Sequence, residues 1–187
     1  MVATVDCAAI ILAGGESSRM GKDKSSLCFK GKTLLRHMGD VLTHAGLEKS
    51  IISGPNHIAD EIRGAGPLGG VHAVLRHVGG RHAHLVFAPV DMPALTSRLI
   101  RRLMNAPPSH ALVHYAAHKV PFRLSTDKRW FELADSLLRD GENVSLGYFQ
   151  ECVPGRLALE VEDGDRSAFA NINTANEWRM FRQGQAL

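Results

Sequence analysis

The chain has 187 residues and a formal net charge of +3 at pH 7, with 44% hydrophobic and 22% charged residues. These values are typical of an ordinary globular domain with a sizeable core, and so weak a positive charge does not favour nucleic acid as a partner. No apolar stretch approaches the ~20 residues of a membrane span, so we expect no membrane partner, and the N-terminus lacks the basic segment of a signal peptide. The cysteines at positions 7, 28 and 152 show no CxxC spacing, which disfavours a disulfide framework or a zinc site and predicts a cytoplasmic protein.

The first half of the chain predicts alternating strands and helices. The segment that starts at Cys7 is continuously apolar and ends at a glycine pair, which is typical of a central parallel strand buried on both faces. Apolar residues then recur at helical spacing up to Gly46, and a short apolar strand stops at Gly54-Pro55. The predicted strands are 7–13, 50–53 and 83–90, and the predicted helices are 33–45, 67–78 and 97–105.

The second half of the chain has a more mixed pattern. Strands are predicted over 111–116, 120–124 and 156–161, and helices over 130–139 and 176–182. The strands of the first half are separated by helices, whereas the first two strands of the second half are joined by a short connection. We therefore predict an α/β fold with a parallel N-terminal part and a mixed C-terminal part.

The first predicted strand runs into the stretch LAGGESSRMGKDK, residues 12–24. Paired glycines allow backbone N–H groups to approach an anion closely, and serine hydroxyls add further donors. Arginine can bind phosphate oxygens in a bidentate manner, while lysines supply point charge. The stretch matches neither a Walker A loop nor GxGxxG, and it predicts a phosphate-binding loop, with a solvated basic loop as the alternative. The residues concerned are Gly14, Gly15, Ser17, Ser18, Arg19, Lys22 and Lys24.

Asp91 follows the third predicted strand directly. Ligands of open parallel sheets bind outside the carboxyl ends of the strands, so we expect this carboxylate at the rim of the same crevice as the basic loop. A hard carboxylate beside phosphates is a candidate ligand for Mg²⁺. The alternative is that Asp91 only caps the following turn.

The motif GPLGG, residues 66–70, starts the second predicted helix. Its small residues can admit a base or a phosphate at a helix start, or they can form only a tight connection between strand and helix. Asp60 lies just upstream and can recognise a ribose or a base, or be a solvated loop carboxylate. His82 and His84 have no Cys or Glu cluster nearby, which disfavours a metal site there.

The stretches LAGGESSRMGKDK, GPLGG, PVDMP and the late FANINTANE (residues 169–177) together resemble the molybdenum cofactor guanylyltransferases. The matches run in the same order over nearly the whole chain. The resemblance implies a Rossmann-like three-layer α/β/α nucleotidyltransferase fold. It also implies a single domain, 1–187, with a nucleotide-binding half over 1–106 and an acceptor-binding half over 107–187.

The resemblance implies an activity as well. The protein would transfer GMP from GTP to the terminal phosphate of molybdopterin, form molybdopterin guanine dinucleotide and release pyrophosphate, with Mg²⁺ as cofactor. Molybdoenzyme apoproteins or other proteins of cofactor biosynthesis would be its partners. The LAGG form resembles the guanylyl branch, since cytidylyl relatives tend to have LAAG. Alternatives are cytidylyl transfer to molybdopterin, nucleotidyl transfer to a sugar or alcohol phosphate, and a non-catalytic carrier of nucleotide or cofactor.

The resemblance finally assigns roles to residues of this chain. The backbone of Leu12, Ala13 and Gly14 would contact the guanine, and Gly15 would belong to the same nucleotide-binding stretch. Arg19 and Lys24 would hold the phosphates, and Asp91 would hold Mg²⁺, so that these three are the candidate catalytic residues. The remaining candidates are Ser53, Asp60 and Gly66 for the nucleotide, and Asn171 and Asn173 for the acceptor, where they would lie near the acceptor or the metal.

Overall fold

The protein folds around a mixed six-stranded sheet. A computed structural model describes residues 6–14, 24–62, 64–78, 80–140 and 144–184. The strands of the chain are β1 (Cys7–Leu12), β2 (Cys28–Phe29), β3 (Lys32–Thr33), β4 (Ser50–Ser53), β5 (His84–Pro89), β6 (Leu112–Tyr115), β7 (Phe122–Ser125) and β8 (Arg156–Leu159). The large sheet has the order β4-β1-β5-β7-β6-β8, while β2 and β3 form a separate antiparallel hairpin.

The two ends of the sheet differ in strand direction. β1 pairs in parallel with both β4 and β5, whereas β7 is antiparallel to β5 and to β6, and β8 is parallel to β6. The predicted α/β class, with a parallel N-terminal part and a mixed C-terminal part, is therefore confirmed. The parallel strands bring the loops that follow β1, β4 and β5 to one edge of the sheet.

Helices cover both faces of the sheet. They are α1 (Leu34–Ala45), α2 (Gly66–Val78), α3 (Ser97–Met104), α4 (Lys128–Asp140), α5 (Leu146–Cys152) and α6 (Ala175–Arg182). One hydrophobic cluster joins the sheet to α1 and α3 and includes Trp178 of α6, and a second joins it to α2, α4 and α5. In β1, Ile11 faces the first cluster and Ile10 the second. Burial on both faces explains why this strand is continuously apolar rather than alternating.

The helix boundaries follow ordinary capping chemistry. The hydroxyl of Thr33 accepts a hydrogen bond from the Arg36 amide and begins α1, while Gly46, at φ 104°, ends it in the left-handed conformation. α5 begins at Ser145, whose hydroxyl accepts from the Tyr148 amide at 3.1 Å. Among the described residues, no helix is both long enough and apolar enough to cross a membrane.

Candidate active site

A cavity of about 170 Å³ lies at the carboxyl ends of the parallel strands. Its walls come from the ends of β1, β4 and β5, the start of α2, the β6–β7 connection and the segment before α6. Most of the predicted site residues that the structure describes are among those that line it. The lining residues are Leu12, Gly14, Ser53, Asp60, Gly66, Pro67, Gly70, Pro89, Asp91, Val120 and Asn171.

Lys24 and Asp91 meet at this cavity although they are 67 positions apart. Lys24 Nζ donates to Asp91 Oδ2 at 3.2 Å and to Asn173 Oδ1 at 2.9 Å. The side chains of Lys24 and Asp91 are only 20% and 25% exposed, so this ion pair is shielded from water more than a surface pair. The Asp91 carbonyl also accepts from the Ile172 amide at 2.9 Å. The C-terminal segment before α6 is thereby joined to the end of β5.

Ser53 and Asp60 face the start of α2 from the other side of the cavity. A Cβ atom at Gly70 would lie 2.7 Å from Ser53 Oγ, and one at Gly69 would lie 3.1 Å from Asp60 Oδ2. Glycine at these positions is what allows the helix to approach so closely. In the GPLGG motif, Gly69 and Gly70 therefore allow α2 to pack closely against the polar side chains of the cavity.

Two polar atoms of this wall have no hydrogen-bond partner among the described residues. Ser53 Oγ and Asp60 Oδ1 are buried and make no hydrogen bond within the described part of the chain. Burial also raises the pKa of Asp60 above its usual value, an effect that the electrostatic influence of nearby His72 partly opposes. Buried polar groups are almost always hydrogen-bonded, and two unpartnered ones in one cavity therefore indicate a polar ligand.

The end of β1 has its backbone groups partly occupied by the sheet. The Leu12 carbonyl accepts from the Val90 amide at 3.0 Å, and the Ala13 amide donates to the Ser53 carbonyl at 2.8 Å. A Cβ at Gly14 would lie 3.9 Å from Asp60 Oδ1. The strand end therefore lies directly beside the carboxylate of Asp60.

The remaining predicted residues are distributed as follows. Asn171 lines the cavity, whereas the side-chain oxygen of Asn173 accepts a hydrogen bond from the ammonium of Lys24. Gly15 and Arg19 lie outside the described residues, as does the rest of 15–23. The cavity also contains Val120, from the β6–β7 connection, for which the sequence carries no functional signal because its neighbours indicate only a strand.

A crevice with a lysine, a carboxylate and unpartnered polar atoms at the carboxyl ends of parallel strands is typical of an α/β nucleotide-binding protein. The family model described as "MobA-like NTP transferase domain" matches residues 9–171. The chain belongs to this family, and it is a nucleotidyltransferase by that membership. The fold and family predicted from the sequence are confirmed.

Two curated relatives and one solved structure illustrate the similarity. A protein of Xanthomonas euvesicatoria named "Molybdenum cofactor guanylyltransferase" is 34% identical over 174 residues, which cover 90% of each chain. A protein of Yersinia pseudotuberculosis with the same name is 34% identical over 196 residues, covering 94% of this chain and 96% of the relative. The structure of "Molybdopterin-guanine dinucleotide biosynthesis protein A" from Archaeoglobus fulgidus superposes with a TM-score of 0.74 at 18% identity, covering 94% of this chain and 97% of that one. At that identity the structural match supports the fold alone.

Proposed function

We propose that this protein transfers GMP from GTP to the terminal phosphate of molybdopterin, forming molybdopterin guanine dinucleotide and pyrophosphate. The observation that carries the proposal is that Lys24 pairs with Asp91, and that Asp91 lines the same cavity as Ser53 and Asp60, each of which has a buried oxygen without a hydrogen bond among the described residues. The names of the relatives support the choice of substrates. Guanine recognition, phosphate binding and transfer are then divided among different walls of the cavity.

Asp60 is proposed to select the base. The Watson–Crick edge of guanine presents two adjacent donors, N1–H and N2–H₂, and a carboxylate offers two acceptor oxygens. Cytosine and adenine each present one donor beside an acceptor, so neither can satisfy both carboxylate oxygens. Ser53 Oγ lies on the same wall and can bond to the base or ribose. The Ala13 carbonyl and the Gly14 amide are the backbone groups of the β1 end that we propose for the base.

Asp91 and Lys24 are proposed to act on the phosphates, together with Arg19 and Gly15 of the preceding loop. Within the described ranges no three His, Cys, Asp or Glu side chains form a metal-binding cluster. Mg²⁺ is often held by one or two carboxylates plus phosphate oxygens of the substrate, and the carboxylate of Asp91 fits that mode. The ion would neutralise charge on the transferring phosphate. Lys24 supplies a second positive charge beside it, and Asn173 orients the lysine.

The transfer itself needs no covalent intermediate on the protein. An oxygen of the acceptor phosphate forms a bond to the α-phosphorus while the bond from the α-phosphorus to the bridging oxygen breaks and pyrophosphate leaves in line. The protein contributes position and charge neutralisation. Asn171, which lines the cavity beside Asp91, is proposed to contact the acceptor phosphate.

The test is pyrophosphate release from GTP, CTP and ATP, each with and without molybdopterin and Mg²⁺. We expect release from GTP only, and only with both additions. A preference for CTP would replace the proposal with cytidylyl transfer, and release with a sugar phosphate instead of molybdopterin would change the acceptor. GTP binding without any release would favour a carrier. The cytoplasmic location, the protein partners and the division into halves at residue 106 stay predictions.

A further inference from the structure

A second groove opens from the wall of the nucleotide cavity. It has a volume of about 520 Å³ and lies between the start of α2 and the start of α5, beside the β6–β7 connection. It shares Gly66, Pro67 and Val120 with the first cavity, so the two spaces lie side by side. Its full lining is Gly64, Ala65, Gly66, Pro67, Lys119, Val120, Val144, Ser145, Leu146 and Gly147.

We propose that this groove binds the acceptor and that Lys119 contacts the acceptor's terminal phosphate. The inference rests on the proposed function and deepens it by naming the acceptor's subsite in this chain. Among the described residues that line the groove, Lys119 is the one basic side chain. The rest of the lining is small or apolar apart from Ser145, and this composition suits a heterocyclic ligand with an anionic end.

The order of the strands places the wall of the groove that carries Lys119 on the side from which attack is expected to come. In-line transfer requires the acceptor to enter opposite the departing pyrophosphate. The pyrophosphate is proposed to lie with the basic loop that follows β1, and in the sheet β5, which delivers Asp91, separates β1 from β7. Lys119 and Val120 come just before Pro121 and the start of β7, so in the order of the strands they lie beyond β5 and its Asp91 as seen from β1.

The backbone of Lys119 is anchored while its side chain is accessible. The Lys119 carbonyl accepts from Gln150 Nε2 at 2.9 Å, and Gln150 is only 3% exposed. A Cβ at Gly147 would lie 2.8 Å from Lys119 Cε, so the lysine side chain passes directly over the first turn of α5. The side chain is 57% exposed, and its ion pair with Glu151, at 3.8 Å, is a surface contact of small energy. The ammonium can therefore exchange Glu151 for a phosphate at little cost.

Kinetics with the two substrates varied separately test the inference. Lys119→Gln should raise the KM for molybdopterin about tenfold, the loss expected for one charge-assisted contact, and leave the KM for GTP unchanged. Lys119→Arg should restore much of the lost affinity because the charge is kept. Lys128→Gln, which removes an exposed lysine paired with Glu132 far from the groove, should leave both constants at wild-type values.

Two further variants test the role of Lys119 without replacing it. Glu151→Gln removes the competing carboxylate and should lower the KM for molybdopterin, the opposite direction to Lys119→Gln. Gly147→Ala displaces the lysine and should raise it. A molybdopterin KM within twofold of wild type in Lys119→Gln, with GTP turnover intact, would overturn the acceptor subsite alone. Absence of turnover in the wild type would overturn the proposed function and this inference with it.

Discussion

The ammonium of Lys24 lies 3.2 Å from the carboxylate of Asp91, and Asn173 holds the same ammonium at 2.9 Å. Three segments that are far apart in the sequence are thereby joined at one edge of the sheet. A cation and an anion at this distance stabilise each other before any substrate is present. When nucleotide enters, the lysine can turn to a phosphate oxygen while the carboxylate accepts a divalent cation, so that both groups keep a partner of opposite charge.

Lys24→Ala should therefore weaken GTP binding and slow turnover together. Loss of one preorganised positive charge at the phosphates should lower kcat/KM for GTP by roughly 10²-fold. Steady-state pyrophosphate release at varied GTP measures both constants. Lys32→Ala is the matched control, because Lys32 is exposed and pairs with Asp40 away from the cavity, and it should behave as wild type. If Lys24→Ala changed only the KM for molybdopterin, the assignment of this lysine to the nucleotide phosphates would be wrong.

Asp91→Asn should separate catalysis from binding. The amide keeps the size of the side chain but loses the charge that a divalent cation needs, so turnover should fall by about 10²-fold or more. GTP affinity, measured by calorimetry without divalent cation, should stay near the wild-type value because Asp60 and the backbone are proposed to hold the base. Asp163→Asn, at an exposed position that pairs with Arg166, is the control. Wild-type turnover in Asp91→Asn would rule out the magnesium role.

Much of this site can be predicted from the sequence because each parallel strand ends in an unusual loop. The position of Asp91 follows from the apolar strand before it, and the close approach at Gly70 follows from GPLGG. The contact between Lys24 and Asn173 has no sequence signal, since it depends on how α6 docks. α6 packs against Phe29 through Trp178, and the centroids of the two rings are 6.2 Å apart.

Other elements have no sequence signal either, for physical reasons. β2 and β3 are only two residues long and not buried, so hydrophobic periodicity cannot reveal them. α5 has seven residues. A helix of about two turns is too short to show a clear amphipathic pattern in the sequence, and its start depends on the cap at Ser145. The subsite role of Lys119 emerges only when α5 and the β6–β7 connection are brought together in three dimensions.

Gly70→Ala should reduce GTP affinity without unfolding the protein. The added methyl group would lie 2.7 Å from Ser53 Oγ and 3.3 Å from Leu12 Cδ2, so the serine must rotate and its contact to the nucleotide is lost. We expect the KM for GTP to rise about tenfold. Gly39→Ala in α1 is the matched control, because nothing lies within 4 Å of its added methyl group. That variant should keep wild-type kinetics and gain about 1 kcal/mol in free energy of unfolding from helix propensity. Wild-type GTP affinity in Gly70→Ala would show that this wall does not contact the nucleotide.

Asp60→Asn should lose base selectivity and gain stability. The amide cannot accept from both guanine donors, so the preference for GTP over ATP should fall by at least tenfold in competition assays.

Because burial raises the pKa of Asp60 in the folded state, the folded protein holds the proton of this carboxyl group more strongly than the unfolded chain does. The ionised carboxylate therefore lowers the free energy of unfolding at neutral pH, and the penalty disappears as the pH falls through the raised pKa. Thermal unfolding should thus show Asp60→Asn to be more stable than wild type at pH 7, by on the order of 1 kcal/mol, with the difference shrinking in acid. GTP affinity of the wild type should fall over the same pH range, whereas that of the variant should not. A variant that is less stable than wild type at pH 7, or that keeps full GTP preference, would contradict the role given to this carboxylate.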